Sequence, residues 1–324
     1  SVAIINTQLI GTGSCIPEFA LTNAMLEQMV DTSDEWISTR TGIRSRQIIT
    51  TETLDGLAYE ACTRALDDAG LTAADIDFII CSTVQGEWTT PGMSCAIQER
   101  LGIPCCPCID INVACAGFIY ALDIADCYIN AGRAHNVLVF CAEAMSRMAN
   151  WADRSNCVLF GDGAGAAVVS QGEGLMKTRL TSRGNVGVLY QRTSRGSSPY
   201  AADRDIDTHF HMKGQDVYKS AVTHSAEDLF ALLNECGLKP DQVDHYLMHQ
   251  ANLRIIEAVR SRLGVERERM PHNIERTGNS SSASCAILLD EQNRSGALKN
   301  GDILALSAFG AGFVTAAALL RWNK

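Results

Sequence analysis

Apolar and polar residues alternate along Cys108-Ile109-Asp110-Ile111-Asn112-Val113, and the chain then turns almost continuously apolar across Phe118-Ile119-Tyr120-Ala121-Leu122. The first pattern has the period of a strand and the second predicts a buried helix. Cys115 stands at the joint, with only Ala116-Gly117 before the apolar run. A second strand pattern, Val243-Asp244-His245-Tyr246-Leu247-Met248, ends in His249-Gln250-Ala251-Asn252. Leu253-Arg254-Ile255-Ile256-Glu257-Ala258-Val259 then follows helical spacing, Asn252 reads as its N-cap and Gly264 as its C′ stop. His249 therefore occupies the same kind of joint as Cys115. A third joint, Thr277-Gly278-Asn279-Ser280-Ser281-Ser282-Ala283-Ser284, leads into the apolar Cys285-Ala286-Ile287-Leu288-Leu289 and by itself reads as a Ser-rich loop with helix caps.

These patterns recur within the chain. Gly70-Leu71-Thr72-Ala73-Ala74-Asp75-Ile76-Asp77-Phe78 is echoed by Gly237-Leu238-Lys239-Pro240-Asp241-Gln242-Val243-Asp244-His245. Gln98 to Ile103 matches Arg260 to Val265, and Val137 to Cys141 matches Ile303 to Ser307. Echoes in one order and similar spacing predict two copies of an α/β unit, roughly residues 1–170 and 171–324. Strands alternating with helices imply mostly parallel sheets buried between helices. Ligands in such folds bind beyond the strand C-termini, so chemistry is expected where the halves bring those ends together.

Composition narrows the class. The 324 residues are 46% hydrophobic and 20% charged, an ordinary globular balance that excludes disorder. No apolar run approaches the length of a membrane span and no signal-peptide pattern opens the chain, so the expectation is a soluble, cytoplasmic protein. Thirteen scattered cysteines predict reduced thiols over a disulfide framework. A net charge of −10 argues against nucleic acid, and an anionic partner would need a local basic patch. The CxxC at Cys105 to Cys108 lacks a second pair at zinc spacing, and no metal site is expected.

At a helix N-terminus the Cys115 thiol would be shifted toward thiolate, from about 8.5 down by one to several units. A single cysteine is more often a small core residue, so this reading needs partners, of which His249 is the first. Gly11-Thr12-Gly13 lacks the third glycine of a dinucleotide fingerprint and reads as a tight turn. Phe160-Gly161-Asp162-Gly163-Ala164-Gly165 and Phe309-Gly310-Ala311-Gly312-Phe313 admit close backbone approach, for packing or for N–H groups aimed at an oxyanion. Neither ends as a P-loop does.

Ala114-Cys115-Ala116-Gly117-Phe118, His249-Gln250-Ala251-Asn252-Leu253-Arg254, Gly278-Asn279 and Phe309 to Phe313, in this order, resemble β-ketoacyl-acyl-carrier-protein synthase III. The likeness extends to Asp31 through Arg44 and to Phe160 through Gly165, so it spans essentially the whole chain. It implies a thiolase-like fold, two pseudo-symmetric halves in a five-layered α-β-α-β-α sandwich, usually as a homodimer. It also implies a reaction. Cys115 would take the acyl group of a short acyl-CoA as a thioester, and malonyl-acyl-carrier protein would lose CO2 with its enolate held by His249 and Asn279. The backbone N–H groups of Cys115 and Ala311 would form the oxyanion site, although the family usually has glycine at the latter position. Substrates would be CoA thioesters, with no cofactor.

By the same resemblance Trp36 and Arg154 would flank the CoA adenine, with Arg40 and Thr41 nearby and Asn252 among the substrate contacts. Arg254 and Lys219 would receive an acidic acyl carrier protein. Many members carry a bulky aromatic that reaches across the dimer to close the primer pocket, whereas Thr90 stands there in Thr89-Thr90-Pro91. More room for primers longer than acetyl is expected. Gly278-Asn279-Ser280-Ser281-Ser282 replaces the usual Gly-Asn-Thr-Ser-Ala, a departure expected to be silent because Asn279 is kept.

Thiolases carry a second cysteine in the C-terminal glycine-rich loop, whereas the last cysteine here is Cys285. Elongating synthases have histidine in place of Asn279. The leading alternative is a sister condensing enzyme of a secondary-metabolite or polyketide pathway with the same Cys-His-Asn triad. A non-catalytic acyl-binding subunit is a further one, against which the intact triad argues.

Overall fold

The computed structural model describes residues 6–202 and 205–324. A five-stranded sheet runs in the order Thr7–Cys15, Asp162–Gln171, Asn136–Ala144, Phe78–Ser82, Cys108–Ile111. A four-stranded sheet runs in the order His245–Met248, Ile303–Gly310, Val314–Arg321, Leu175–Ser182. Both follow one pairing rule. In the first, Phe78–Ser82 lies parallel to Asn136–Ala144, which pairs antiparallel with Asp162–Gln171 and through it antiparallel with Thr7–Cys15. In the second, His245–Met248, Ile303–Gly310, Val314–Arg321 and Leu175–Ser182 repeat that sequence of parallel, antiparallel and antiparallel pairs. The echoed segments thus occupy equivalent strands, but the sheets are mixed and not mostly parallel. Asn136–Ala144 and Ile303–Gly310 are each followed in their sheet by a strand that returns without a crossover helix, which forces the antiparallel pairs.

Five layers result. Alternation along the strands sorts side chains by face: Phe78, Ile80, Val137 and Val139 join the central core, while Ile79, Cys81, Leu138 and Phe140 face the outer helices Leu54–Ala69 and Met93–Leu101. The helices Gly117–Asn130 and Ala283–Arg294 lie between the sheets, which explains why their sequences read as apolar on nearly every side. Gly214–Glu235 and Leu253–Leu263 cover the far face of the second sheet. No helix of the described residues is long and apolar enough to cross a membrane.

Gly11 and Gly13 do not form a turn. Both lie inside strand Thr7–Cys15, where a Cβ at Gly13 would meet Ala61 O at 2.1 Å and one at Gly11 would meet Ala65 O at 2.4 Å. Their missing side chains let helix Leu54–Ala69 press directly on the strand. Gly163 and Gly165 do the same for helix Ala283–Arg294, against Ile287 and Ala286.

Candidate active site

Strand Cys108–Ile111 ends in a short 3-10 turn, Ala114–Ala116, that hands over to helix Gly117–Asn130. Ala114 has φ +46°, so the chain bends sharply just before Cys115. Two glycines make this possible. A Cβ at Gly117 would collide with Ser82 Oγ at 1.8 Å, and one at Gly310 would meet Cys115 N at 2.7 Å. The first half supplies the thiol, and the second brings its backbone up beside it.

A cavity of about 1060 Å³ opens at this junction, lined by Cys115, His249 and Asn279 together with Phe309 and Ala311. Burial pushes the Cys115 thiol up to about 12; the Ser281 hydroxyl, 3.3 Å from Sγ, pulls the other way and the Glu143 carboxylate adds to the rise. Cys115 lies at the helix N-terminus where the pattern placed it, and burial acts on its thiol against the direction that position favours.

His249 follows strand His245–Met248 and is 2% exposed. Its ring meets Phe309 edge-on at 5.4 Å, and burial alone pushes its pKa down to about 3. Nδ1 lies 2.6 Å from Ser284 Oγ, which also accepts the Gln250 N–H at 3.1 Å. Among the described residues Nδ1 is the one acceptor within reach of the Ser284 hydroxyl hydrogen, which assigns the imidazole proton to Nε2. Asn279 is tied into the first half by its backbone: its N–H donates to Leu159 O at 2.8 Å and its carbonyl accepts from Gly161 N–H at 3.0 Å. Its Oδ1 accepts the Ser281 N–H at 2.9 Å, which orients Nδ2 as the free donor. The N–H groups of Cys115 and Ala311 take no partner among the described residues. Ala311 is not among the residues with positive φ, so alanine sits there without strain.

Trp36, Arg40, Thr41, Asn252 and Arg254 line the same cavity toward its mouth. Asn252 caps helix Leu253–Leu263 by accepting from Arg254 N–H at 2.8 Å, and its Nδ2 donates to Arg40 O at 3.1 Å. The guanidiniums of Arg40 and Arg154 both lie over the Trp36 ring, 4.6 and 4.7 Å from its centroid. An adenine between Trp36 and Arg154 therefore requires Arg154 to leave the indole. Lys219 is exposed on helix Gly214–Glu235, outside the lining residues, and Thr90 sits on an exposed loop away from the cavity of its own chain.

Sequence patterns passed over Ser281, Ser284 and Glu143. Ser282, where the usual residue is alanine, adds a hydroxyl that donates to Glu143 Oε1 at 2.6 Å. A serine run reads as a loop whatever its hydroxyls hold, so no local signal marked these residues.

Two pseudo-symmetric halves with a cysteine, a histidine and an asparagine converging on one deep cavity define a thiolase-like condensing enzyme. Family profiles described as 3-oxoacyl-[acyl-carrier-protein] synthase III and its C-terminal part match residues 109–184 and 233–322. A Caldanaerobacter subterraneus protein named β-ketoacyl-[acyl-carrier-protein] synthase III is 44% identical over 323 residues, covering 98% of each chain. The crystal structure of 3-oxoacyl-[acyl-carrier-protein] synthase III from Aquifex aeolicus superposes with a TM-score of 0.92 at 41% identity, covering 98% of this chain and 100% of that one. The priming β-ketosynthase of the R1128 polyketide pathway superposes at 0.94 with 36% identity, covering 99% and 97%. The chain belongs to the β-ketoacyl-acyl-carrier-protein synthase III family, the acyltransferase condensing enzymes that initiate fatty-acid synthesis.

Proposed function

We propose that this chain joins an acyl-CoA primer to malonyl-acyl-carrier protein in a decarboxylative Claisen condensation, releasing CoA and CO2. The observation that carries this is the convergence of Cys115, His249 and Asn279 from both halves on one cavity. The Cys115 sulfur attacks the primer thioester and keeps the acyl group, which divides one difficult bond formation into two steps. Negative charge on the tetrahedral oxygen rests on the Cys115 and Ala311 N–H groups. Malonyl-carrier protein then replaces CoA, and loss of CO2 leaves an enolate oxygen between His249 Nε2–H and Asn279 Nδ2–H. Both donors are neutral, so they stabilise the developing anion without fixing a salt bridge in a dry site. The enolate carbon attacks the acyl carbonyl, Cys115 leaves, and the 3-oxoacyl product remains on the carrier. CoA thioesters serve as substrates and no cofactor enters the cycle.

In this reading Trp36, Arg40, Thr41, Arg154 and Asn252 hold the CoA end, with Arg154 swinging off the indole to admit the adenine. Arg254 and Lys219 offer the acidic carrier a basic face near the mouth. The units 1–170 and 171–324 act as halves of one catalytic body, and the protein works as a cytoplasmic homodimer in which Thr90 borders the primer pocket of the second copy.

Intact-mass spectrometry after incubation with acyl-CoA tests the scheme. The wild type should gain one acyl group, mapped to Cys115, and Cys115→Ala none. His249→Ala should keep this acylation yet lose CO2 release by about 10²- to 10³-fold, on the scale of one oxyanion donor. Acyl mass on any other cysteine would overturn the assignment.

A further inference from the structure

Both side-chain donors of the site hang on one serine-rich turn. Residues 279–282 lead into helix Ala283–Arg294, whose second residue is Ser284, 3% exposed. Asn279 is oriented by the backbone of this turn, through the Ser281 N–H on its Oδ1 at 2.9 Å. His249 is oriented by a side chain, the Ser284 hydroxyl, whose oxygen lies 2.6 Å from Nδ1. Nothing else among the described residues bonds a ring nitrogen of His249. Its backbone N–H is taken by Ser307 O at 2.7 Å, and Phe309 meets the ring edge-on. Gln250 N–H donates to the Ser284 oxygen at 3.1 Å, which occupies one lone pair and leaves the single hydroxyl hydrogen for Nδ1. That donation also polarises the hydroxyl and strengthens it as a donor. Gln250 is itself anchored, its Nε2 donating to Met248 O at 2.8 Å and its Oε1 accepting from Asn273 N–H at 3.1 Å.

A neutral imidazole shows the cavity either an N–H or a lone pair, and the bond made by its other nitrogen decides which. With its proton on Nδ1, His249 would turn a lone pair toward the enolate oxygen and repel the anion it has to hold. We propose that Ser284 is a positioning residue for the decarboxylation step: by donating to Nδ1 it keeps that nitrogen bare and so keeps Nε2–H aimed at the enolate. Acyl transfer does not draw on this donor, because its oxyanion rests on the Cys115 and Ala311 N–H groups. Ser284 therefore serves one half of the reaction and leaves the other alone. Ser281 does the matching work for Asn279 through its N–H, which any side chain at that position other than proline would keep.

This rests on the condensation proposed above, with Cys115 as the acyl acceptor. The test is nitrogen NMR of the enzyme carrying isotope-labelled histidine, with the His249 signals assigned as those missing from His249→Ala. The wild type should show a protonated Nε2 and a bare Nδ1, and Ser284→Ala should move proton occupancy toward Nδ1. In parallel, single-turnover acylation of Ser284→Ala by butyryl-CoA should stay within about threefold of wild type. CO2 release from malonyl-carrier protein by the acylated variant should fall about 10- to 100-fold, part of the loss of one oxyanion donor. A proton on Nδ1 in the wild type overturns the proposal whether or not the variant folds. A folded Ser284→Ala enzyme with wild-type CO2 release, or with equal losses in both steps, overturns it too. A wild type that takes no acyl group on Cys115 overturns the functional reading instead, and the role of Ser284 with it.

Discussion

Two buried groups near the cavity, Glu143 and His249, carry opposite linkages to pH. Glu143 is held near 7 against an ordinary 4.5, so its folded form keeps a proton that the unfolded chain releases. Its stabilising term is full below the unfolded value and is lost as pH rises through the folded one. His249, held near 3 against 6.5, does the reverse: its term is full above 6.5 and is lost as pH falls toward 3. Between about 4.5 and 6.5 the two slopes offset each other. Glu143→Gln removes one of them. Relative to wild type, its stability should therefore improve by up to about 3 kcal/mol between pH 5 and pH 7.5, measured as the shift between urea midpoints. A constant difference across that range would contradict a raised Glu143. Cys115 and His249 were legible from sequence because each ends a strand pattern at the start of a helix. Glu143 was not, because a single acidic residue ending an apolar strand has no local mark. Its hydroxyl partner Ser282 lies in the other half of the chain.

Among the elements, glycine matters most where a strand and a helix touch backbone to backbone. Gly13→Ala would place a Cβ 2.1 Å from Ala61 O and 2.5 Å from Ala65 N, so strand Thr7–Cys15 and helix Leu54–Ala69 must separate. A loss of about 1–3 kcal/mol is expected, seen as a lower urea midpoint with an unchanged m-value. Gly184→Ala has open space around its Cβ and should stay within about 0.5 kcal/mol of wild type. The reading of Gly11 to Gly13 as a turn failed because glycine in sequence signals close approach without saying to what. The helix boundaries fared better. Asn252 and Gly264 cap Leu253–Leu263 as their residue types imply, Gly264 at φ +68°, because caps are set by local chemistry.

At the scale of the whole molecule, the proposed homodimer ties substrate range to how two copies of the chain would meet. Thr90 lies on an exposed loop outside its own cavity, and in the proposed homodimer it would border the primer pocket of the second copy. Turnover of acetyl-, butyryl- and octanoyl-CoA should show acceptance of the longer primers, and Thr90→Phe should cut octanoyl turnover while sparing acetyl. Strict preference for acetyl in the wild type would refute this. Within one chain, the sequence by itself determined the strand and helix patterns, their repetition in two halves and the joints that hold Cys115, His249 and Asn279. Those features follow from local periodicity and capping, which neighbouring residues settle among themselves. Tertiary structure alone decided the antiparallel returns that make both sheets mixed. It also decided the burial that pushes the Cys115 thiol up and the meeting of Glu143 with Ser282. The physical reason is that desolvation and hydrogen bonding between halves depend on what packs against a residue from far along the chain, and no stretch of sequence contains that information.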